Sequence, residues 1–452
     1  MTDKRLGGLI GLGVALLFLL TQTGEVTVSD GADMLAVTHS ILHHASFAVP
    51  AGYGVLGRGG HYYAKYGIGL SLVALPLVAV GDVLAVVLGH QTQLESFGAA
   101  TTMPIITGLL SMVLWHMSRR LGASRRWATL IAVGSVVGTF ALPYGKDFFS
   151  EPLTALGIAI AIERLLAQKY WAAGLGVGLA IITRPETLVL APLWPLIVWR
   201  YRDLRGAASF ALAIVPSIVI DALYDWLRFG NALKSGYGNE GFTTPFFHGA
   251  AGLLFGTNKS VFIFAPIVIL LILLAVRMWR EHQLYVALAA TNFAVFFVLN
   301  ALWNPWQGGW AWGPRLILPG VVCAMPLLAG VKGRLEHRAT IVLLGVGLAV
   351  SASTILVPTE AQQLDHPLPV NGPSPVTQYR LIPSIIKYSA QHLTATHTPG
   401  ASRRYLSLWQ FNLGRELGDK GLLLGVIGSV ALLAALVMTF ARIKTLLAPD
   451  PA

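Results

Sequence analysis

The sequence predicts an all-α integral membrane protein of about twelve transmembrane helices, with interfacial or re-entrant helices in the first outer loop. Three observations carry that reading. Of 452 residues, 55% are hydrophobic and only 12% charged, about half the charged share of a soluble domain. Apolar runs near the ~20-residue spanning length recur from end to end. Clusters of Lys and Arg punctuate those runs, as they do where cytoplasmic loops hold a membrane protein's orientation.

The net charge of +11 is therefore assigned to topology, and no nucleic acid is expected. The single cysteine, Cys323, excludes an intramolecular disulfide. The opening "MTDKRLGGLIGLGV" has no clear small-residue cleavage site and reads as an uncleaved first helix.

Charge parity orders the spans. With Lys4-Arg5, Arg119-Arg120, Arg164, Arg200, Arg277, Lys332 and Arg442 all cytoplasmic, an even number of crossings separates successive clusters. Paired runs at 126–143 and 152–167, 171–183 and 187–199, 206–224 and 260–276, 283–301 and 316–331, and 339–357 and 421–441 satisfy this. Between Arg5 and Arg119 lie three runs, 8–23, 68–88 and 97–118. One must not cross, and 68–88, which holds Pro76, Gly81 and Asp82, is the candidate. Both termini are then cytoplasmic. Residues 1–357 form the main transmembrane module, including outer loop 24–96. Residues 358–419 form a further outer loop, in which "VTQYRLIPSIIKYSAQHL" has the partial periodicity of a surface helix. Residues 420–452 hold the last span and a cytoplasmic tail.

The outer loops then gather the chemistry. "SDGADML" places Asp30 and Asp33 at i and i+3 of a helix whose first turn either Ser29 or Asp30 can cap. A carboxylate here is either a cap and dipole partner or a reactive group. His39, His43 and His44 follow. The first two have i, i+4 spacing, but no third ligand is placed by the sequence, so they read as solvated interfacial residues and no metal is expected. "HYYAKYGIG" sets Lys65 among tyrosines that include Tyr66, either a belt with a snorkelling lysine or a cation for a lipid phosphate.

"LPYGKDFFSEPL" carries Tyr144, Asp147 and Glu151. "IITRPETL" puts Arg184 and Glu186 between short apolar runs, as an internal ion pair or a functional site. "FGTNKS" adds Lys259 at a helix start, where the dipole favours an anion. In "NALWNPWQGGWAWGPRLILP" four tryptophans, 303, 306, 310 and 312, fall within ten residues and end on Arg315. A belt explains one or two of them. Four suggest an aromatic platform, with Arg315 as a bidentate phosphate contact.

In this order, "SDGADML", "HYYAKYGIG", "SRRLGAS", "FSEPL", "GLGVGLAIITRPE" and "WAWGPRLILP" resemble the GT-C membrane glycosyltransferases that use a polyprenyl-phosphate sugar, such as protein O-mannosyltransferases and lipid A aminoarabinose transferases. The resemblance covers roughly residues 5–330. It departs from the family where Gly31 separates the usual adjacent acidic pair and where Lys-Tyr-Gly replaces Lys-Pro-Pro. The soluble C-terminal domain of some members has no counterpart in this sequence.

The resemblance implies an inverting transfer from a polyprenyl-phosphate carrier to a glycan, lipid or protein hydroxyl on the extracytoplasmic face of the plasma or inner membrane, with no cofactor. Asp30 is then the catalytic base. Lys65, Tyr66, Arg184, Lys259 and Arg315 bind the donor phosphate. Asp33, Tyr144, Asp147, Glu151, Trp306, Trp310 and Trp312 hold sugar or acceptor. A transporter or flippase of a lipid-linked sugar is the alternative, although no internal repeat is visible and most charges fall at helix ends. A noncatalytic scaffold would not need acidic, basic and tryptophan residues gathered on one side.

Overall fold

The computed structural model describes residues 2–238, 240–309, 311–356 and 408–447. Trp310, the surface helix expected near 376–393 and most of loop 358–419 lie outside them. The chain begins with α1 (Thr2–Thr21) and α2 (Ser29–His44). A small antiparallel sheet follows, made of β1 (Ala48–Val49), β2 (Val55–Leu56) and β3 (Tyr62–Tyr63) in the order β1-β3-β2. An all-α expectation does not contain this sheet. Its strands are two residues long, too short to leave a period-2 signal.

Next come α3 (Gly69–Leu88), α4 (Gln91–Arg120), α5 (Arg125–Val137), α6 (Ala141–Tyr144), α7 (Ser150–Leu166), α8 (Tyr170–Thr183), α9 (Leu190–Tyr201) and α10 (Leu204–Phe229). The remainder is α11 (Phe246–Phe255), α12 (Val261–Phe264), α13 (Val268–Met278), α14 (Gln283–Leu302), α15 (Leu318–Ala324), α16 (Arg334–Ser351) and α17 (Trp409–Leu447). Gly418 bends α17. Local signals explain several starts. Ser124 accepts from the Trp127 amide at 3.2 Å to begin α5, and Asp203 accepts from the Gly206 amide at 2.7 Å to begin α10.

Six of the described helices are long and apolar enough to cross a membrane: α1, α3, α4, α10, α14 and α17. Four shorter apolar helical segments accompany them, against an expected total of about twelve spans. The expected 316–331 span is one of these, and it is broken into three pieces, Arg315–Ile317, α15 and Met325–Gly330. Pro319 and Pro326 each enter at the start of a piece, where a missing N–H costs nothing.

The packing of α3 bears on the parity argument. α1 lies along the second half of α4, with Gly11 against Gly108 and Gly7 against His116. α3 lies along the first half, with Gly81 against Leu94 and Gly98 against Leu77. Small residues let these backbones approach closely. α3 is thus long enough to span, yet it sits beside the part of α4 that extends past the end of α1.

The bundle has two chemically distinct ends. At one, Asp3 accepts from Arg119 at 3.1 Å and Arg125 at 2.8 Å, Glu163 accepts from Arg120 at 2.7 Å, and Arg277 pairs with Glu336 at 2.7 Å. Arg119, Arg120, Arg125 and Arg164 thus meet at one end, around Asp3 and Glu163. The opposite end carries α2, the sheet and the loops around residues 147, 184, 237 and 309.

Candidate active site

α2 starts at an N-cap residue, Val28, whose side chain caps nothing. Neither Ser29 nor Asp30 serves as the expected cap. Both lie in the first turn, and the Asp30 carboxylate turns away from the helix start towards Arg315, whose Nη2 donates to its Oδ2 at 2.7 Å. Gly31 explains the interrupted acidic pair. A side chain there would collide with the Phe148 carbonyl and with Val26 and Val28, so α2 can dock on the 147–149 loop only with glycine at this position.

Asp30, Lys65, Tyr66, Arg184 and Arg315 line one cavity of about 340 Å³. They come from four separate stretches of sequence, and all five were expected at the site. Glu186, Tyr237, Glu240, Phe242, Asn300 and Trp303 complete much of its wall. Lys65 donates to Glu240 at 2.5 Å and lies over the rings of Tyr66 and Tyr237 at 5.5 and 5.3 Å. Arg184 donates to Glu186 and, at 2.7 Å, to Glu151. Arg315 sits 3.7 Å from Glu151 through Nε and 5.3 Å above the ring of Phe149. Each cation on the wall is therefore matched by a carboxylate. Among the described residues, Arg315 Nε and Glu151 Oε2 are buried without a hydrogen-bond partner, so the site keeps unused polar capacity.

Electrostatics separates the two aspartates. Burial pushes Asp30 up, but Arg315, a hydrogen bond from Tyr66 and the more distant Lys65 outweigh it, and its pKa falls below the usual carboxylate value. Burial and then the neighbouring Asp30 charge raise Asp33 to about 7, with Lys65 opposing. Burial and Asp30 push the Tyr66 phenol well up, which keeps its proton in place as a donor. Burial works against the Arg184 charge, yet Glu186 and Glu151 hold its pKa above the ordinary value.

Other expected site residues serve beneath or beside the cavity. Glu151 is 2% exposed in its side chain and positions the arginines from below. Asp147 is buried, accepts from the Phe148 amide at 2.8 Å and from the Thr27 hydroxyl, and so ties the chain entering α2 to the loop before α7. The Tyr144 hydroxyl donates to the Trp312 carbonyl at 2.6 Å. Lys259 is buried and donates to the carbonyls of Gly309 and Ala311 at 3.1 and 2.6 Å, which fixes the loop leading to Arg315. Burial, followed by Arg315, lowers its pKa to about 7. It is thus a loop brace.

Of the four tryptophans expected to form a platform, Trp310 lies outside the described residues and two others pack in the interior. Trp306 is buried against Gly252 and His248, and Trp312 is buried against Phe264. Trp303 forms the aromatic wall instead, edge-on to Tyr237 and Phe242 at 5.4 and 5.0 Å. Sequence reasoning passed over Tyr237 and Glu240. Their signal was a polar, glycine-rich "SGYGNEG" in an otherwise apolar chain.

No family model matches this chain, and no curated protein is similar to it. Among solved structures it resembles ArnT from Cupriavidus metallidurans bound to undecaprenyl phosphate, with TM-score 0.53 and 14% identity, over 97% of this chain and 75% of that one. Against the same protein in the apo state the TM-score is 0.52 at 14% identity, over 96% and 74%. At this identity the likeness is one of fold: the chain shares the overall fold of ArnT.

Proposed function

We propose that the protein is an inverting glycosyltransferase that moves a sugar from a polyprenyl-phosphate carrier to an acceptor hydroxyl. The carrying observation is the cavity in which Asp30, Lys65, Tyr66, Arg184 and Arg315 converge, at the end of the bundle opposite the basic clusters. That charge distribution supports an extracytoplasmic site. ArnT, of the same fold, is seen with undecaprenyl phosphate, which supports a prenyl-linked donor here.

In the proposed step, Asp30 takes the proton from the acceptor hydroxyl, within hydrogen-bond reach. The oxygen attacks the anomeric carbon, and the bond from that carbon to the phosphate oxygen breaks. The phosphate leaves with the electron pair, and the anomeric centre inverts. Arg315, Arg184 and Lys65 neutralise the departing charge as preorganised donors, so no step passes through a metal. Trp303 offers its face to the sugar. A labelled donor incubated with purified protein is expected to release polyprenyl phosphate in step with sugar transfer. Movement of intact donor across the bilayer without release would overturn the reading in favour of a transporter.

The pairing of every cation implies that the donor phosphate displaces a carboxylate. The most dissociable pair is Lys65–Glu240, whose side chains are 26% and 33% exposed. Glu240→Gln removes that competitor. It is expected to lower the donor KM by about two- to five-fold, the size of a partly exposed ion pair, with kcat little changed. A raised donor KM would instead place Glu240 among the groups that bind substrate.

A further inference from the structure

Two of the three histidines following the acidic turn of α2 have a partner that the sequence did not show. His39 Nδ1 lies 2.8 Å from Glu95 Oε2, and His43 Nε2 lies 3.3 Å from Glu95 Oε1. The two imidazoles are one helical turn apart on α2, with ring centroids separated by 4.4 Å. Glu95 comes from the first turns of α4 and is only 5% exposed in its side chain. One donor atom from each of the three residues falls within 4.8 Å of the other two. We propose that His39, His43 and Glu95 form a binding site for a divalent zinc ion that fastens α2 to α4.

The chemistry of the set favours that ion. Two neutral imidazoles and one carboxylate are borderline ligands of the kind zinc takes, and three protein ligands leave a fourth position for water or a further carboxylate. Asp82 on α3 lies 3.5 Å from His43 Nε2 and is placed to fill it. Zinc–nitrogen bonds of about 2.0–2.1 Å set tetrahedral ligand atoms about 3.3 Å apart. The contact between His43 and Glu95 Oε1, at 3.3 Å, has that length, and the contact between His39 and Glu95 Oε2, at 2.8 Å, is shorter. A supporting shell is present too. Gln91 donates to Glu95 Oε1 at 2.9 Å and to Asp82 Oδ1 at 2.8 Å, which orients both carboxylates.

Position gives the site its role. His39 and His43 are nine and thirteen residues beyond Asp30 on α2, about 14–20 Å along the helix, and neither borders the cavity. The ion would make no contact with substrate. It would lock the angle of the helix that presents Asp30, by joining it to α4 and, through Asp82, to α3. His44, exposed on the same turn, is outside the cluster.

The test uses the full-length protein in detergent, stripped with a chelator, given one equivalent of zinc chloride and desalted. Elemental analysis is expected to find about one zinc per chain in the wild type and in His44→Ala, and less than a tenth of that in His43→Asn and Glu95→Gln. Cobalt(II) added to stripped wild-type protein is expected to give the intense visible d–d bands of a tetrahedral site, abolished by one equivalent of zinc. This reading decides the matter even if the variants do not fold. Absence of those bands, or a full equivalent of zinc retained in His43→Asn and Glu95→Gln, overturns the site.

Discussion

Replacing Asp30 with Asn is expected to lower kcat for sugar transfer by about 10²–10⁴-fold, the contribution of a positioned general base, while the donor KM stays level or falls. The yield and melting temperature of the folded variant separate catalysis from damage. Asn keeps the shape of Asp, and its amide oxygen can still accept from Arg315. It removes the negative charge that holds Arg315 in the absence of donor. The guanidinium is then freer to meet the phosphate. A variant that merely misfolds would lower the yield of folded protein and the apparent kcat in proportion, with the donor KM of the folded fraction unchanged. A variant with kcat within a few-fold of wild type would remove Asp30 from the reaction.

The neighbouring carboxyl adds a pH signature. Asp33, with its pKa raised to about 7, is neutral below that pH and charged above it. A second negative charge beside Asp30 weakens the hold on an anionic donor, so the wild-type donor KM rises as pH increases through about 7. In Asp30→Asn the repulsion that helps raise Asp33 is gone, and the midpoint moves down. Stability carries the same sign. The folded pKa lies above the ordinary carboxylate value of 3.8, so between about pH 4 and 7 the native state binds more protons than the unfolded one. This group's contribution to stability therefore falls as pH rises across that window.

Four charged residues that line the cavity were legible in the sequence for a physical reason. In a chain of 12% charged residues, a charge near an apolar run is expensive and implies a partner or a ligand. Asp30, Lys65, Arg184 and Arg315 stand out on that ground, and charge parity put them at one end. Parity cannot say which way a loop residue faces. Lys259 and Asp147 carry the same charges as Lys65 and Asp30, yet they are spent on backbone groups that loop folding leaves without partners. The tryptophans divide similarly. Trp306 and Trp312 fill gaps beside Gly252 and Phe264, while Trp303, at the end of α14, is left to face the cavity. The His39–His43–Glu95 cluster was illegible because its third member lies 52 residues beyond His43 and meets it only through packing of α2 on α4.

Arg315 joins these levels, and its substitution is expected to have the other large effect. It reaches Asp30 at 2.7 Å, approaches Glu151 at 3.7 Å and lies over Phe149. Arg315→Lys keeps a positive charge but loses the planar fork, so one donor can no longer serve carboxylate and phosphate together. Loss of a preorganised donor to the leaving group predicts a fall in kcat of about 10²–10³-fold, or about 2.7–4 kcal/mol of transition-state stabilisation. Arg315→Ala goes further, because it leaves Glu151 with one buried counter-charge, Arg184, and Asp30 with none in contact. Breaking a buried pair in this way costs about 3–5 kcal/mol, so the alanine variant should lose folded protein as well as activity. The lysine variant is the diagnostic one. Near-normal turnover in a folded Arg315→Lys protein would show that the fork is structural, and would shift the leaving-group role to Arg184 and Lys65. A large loss of kcat with the melting temperature preserved would fix Arg315 as the group that meets the departing phosphate.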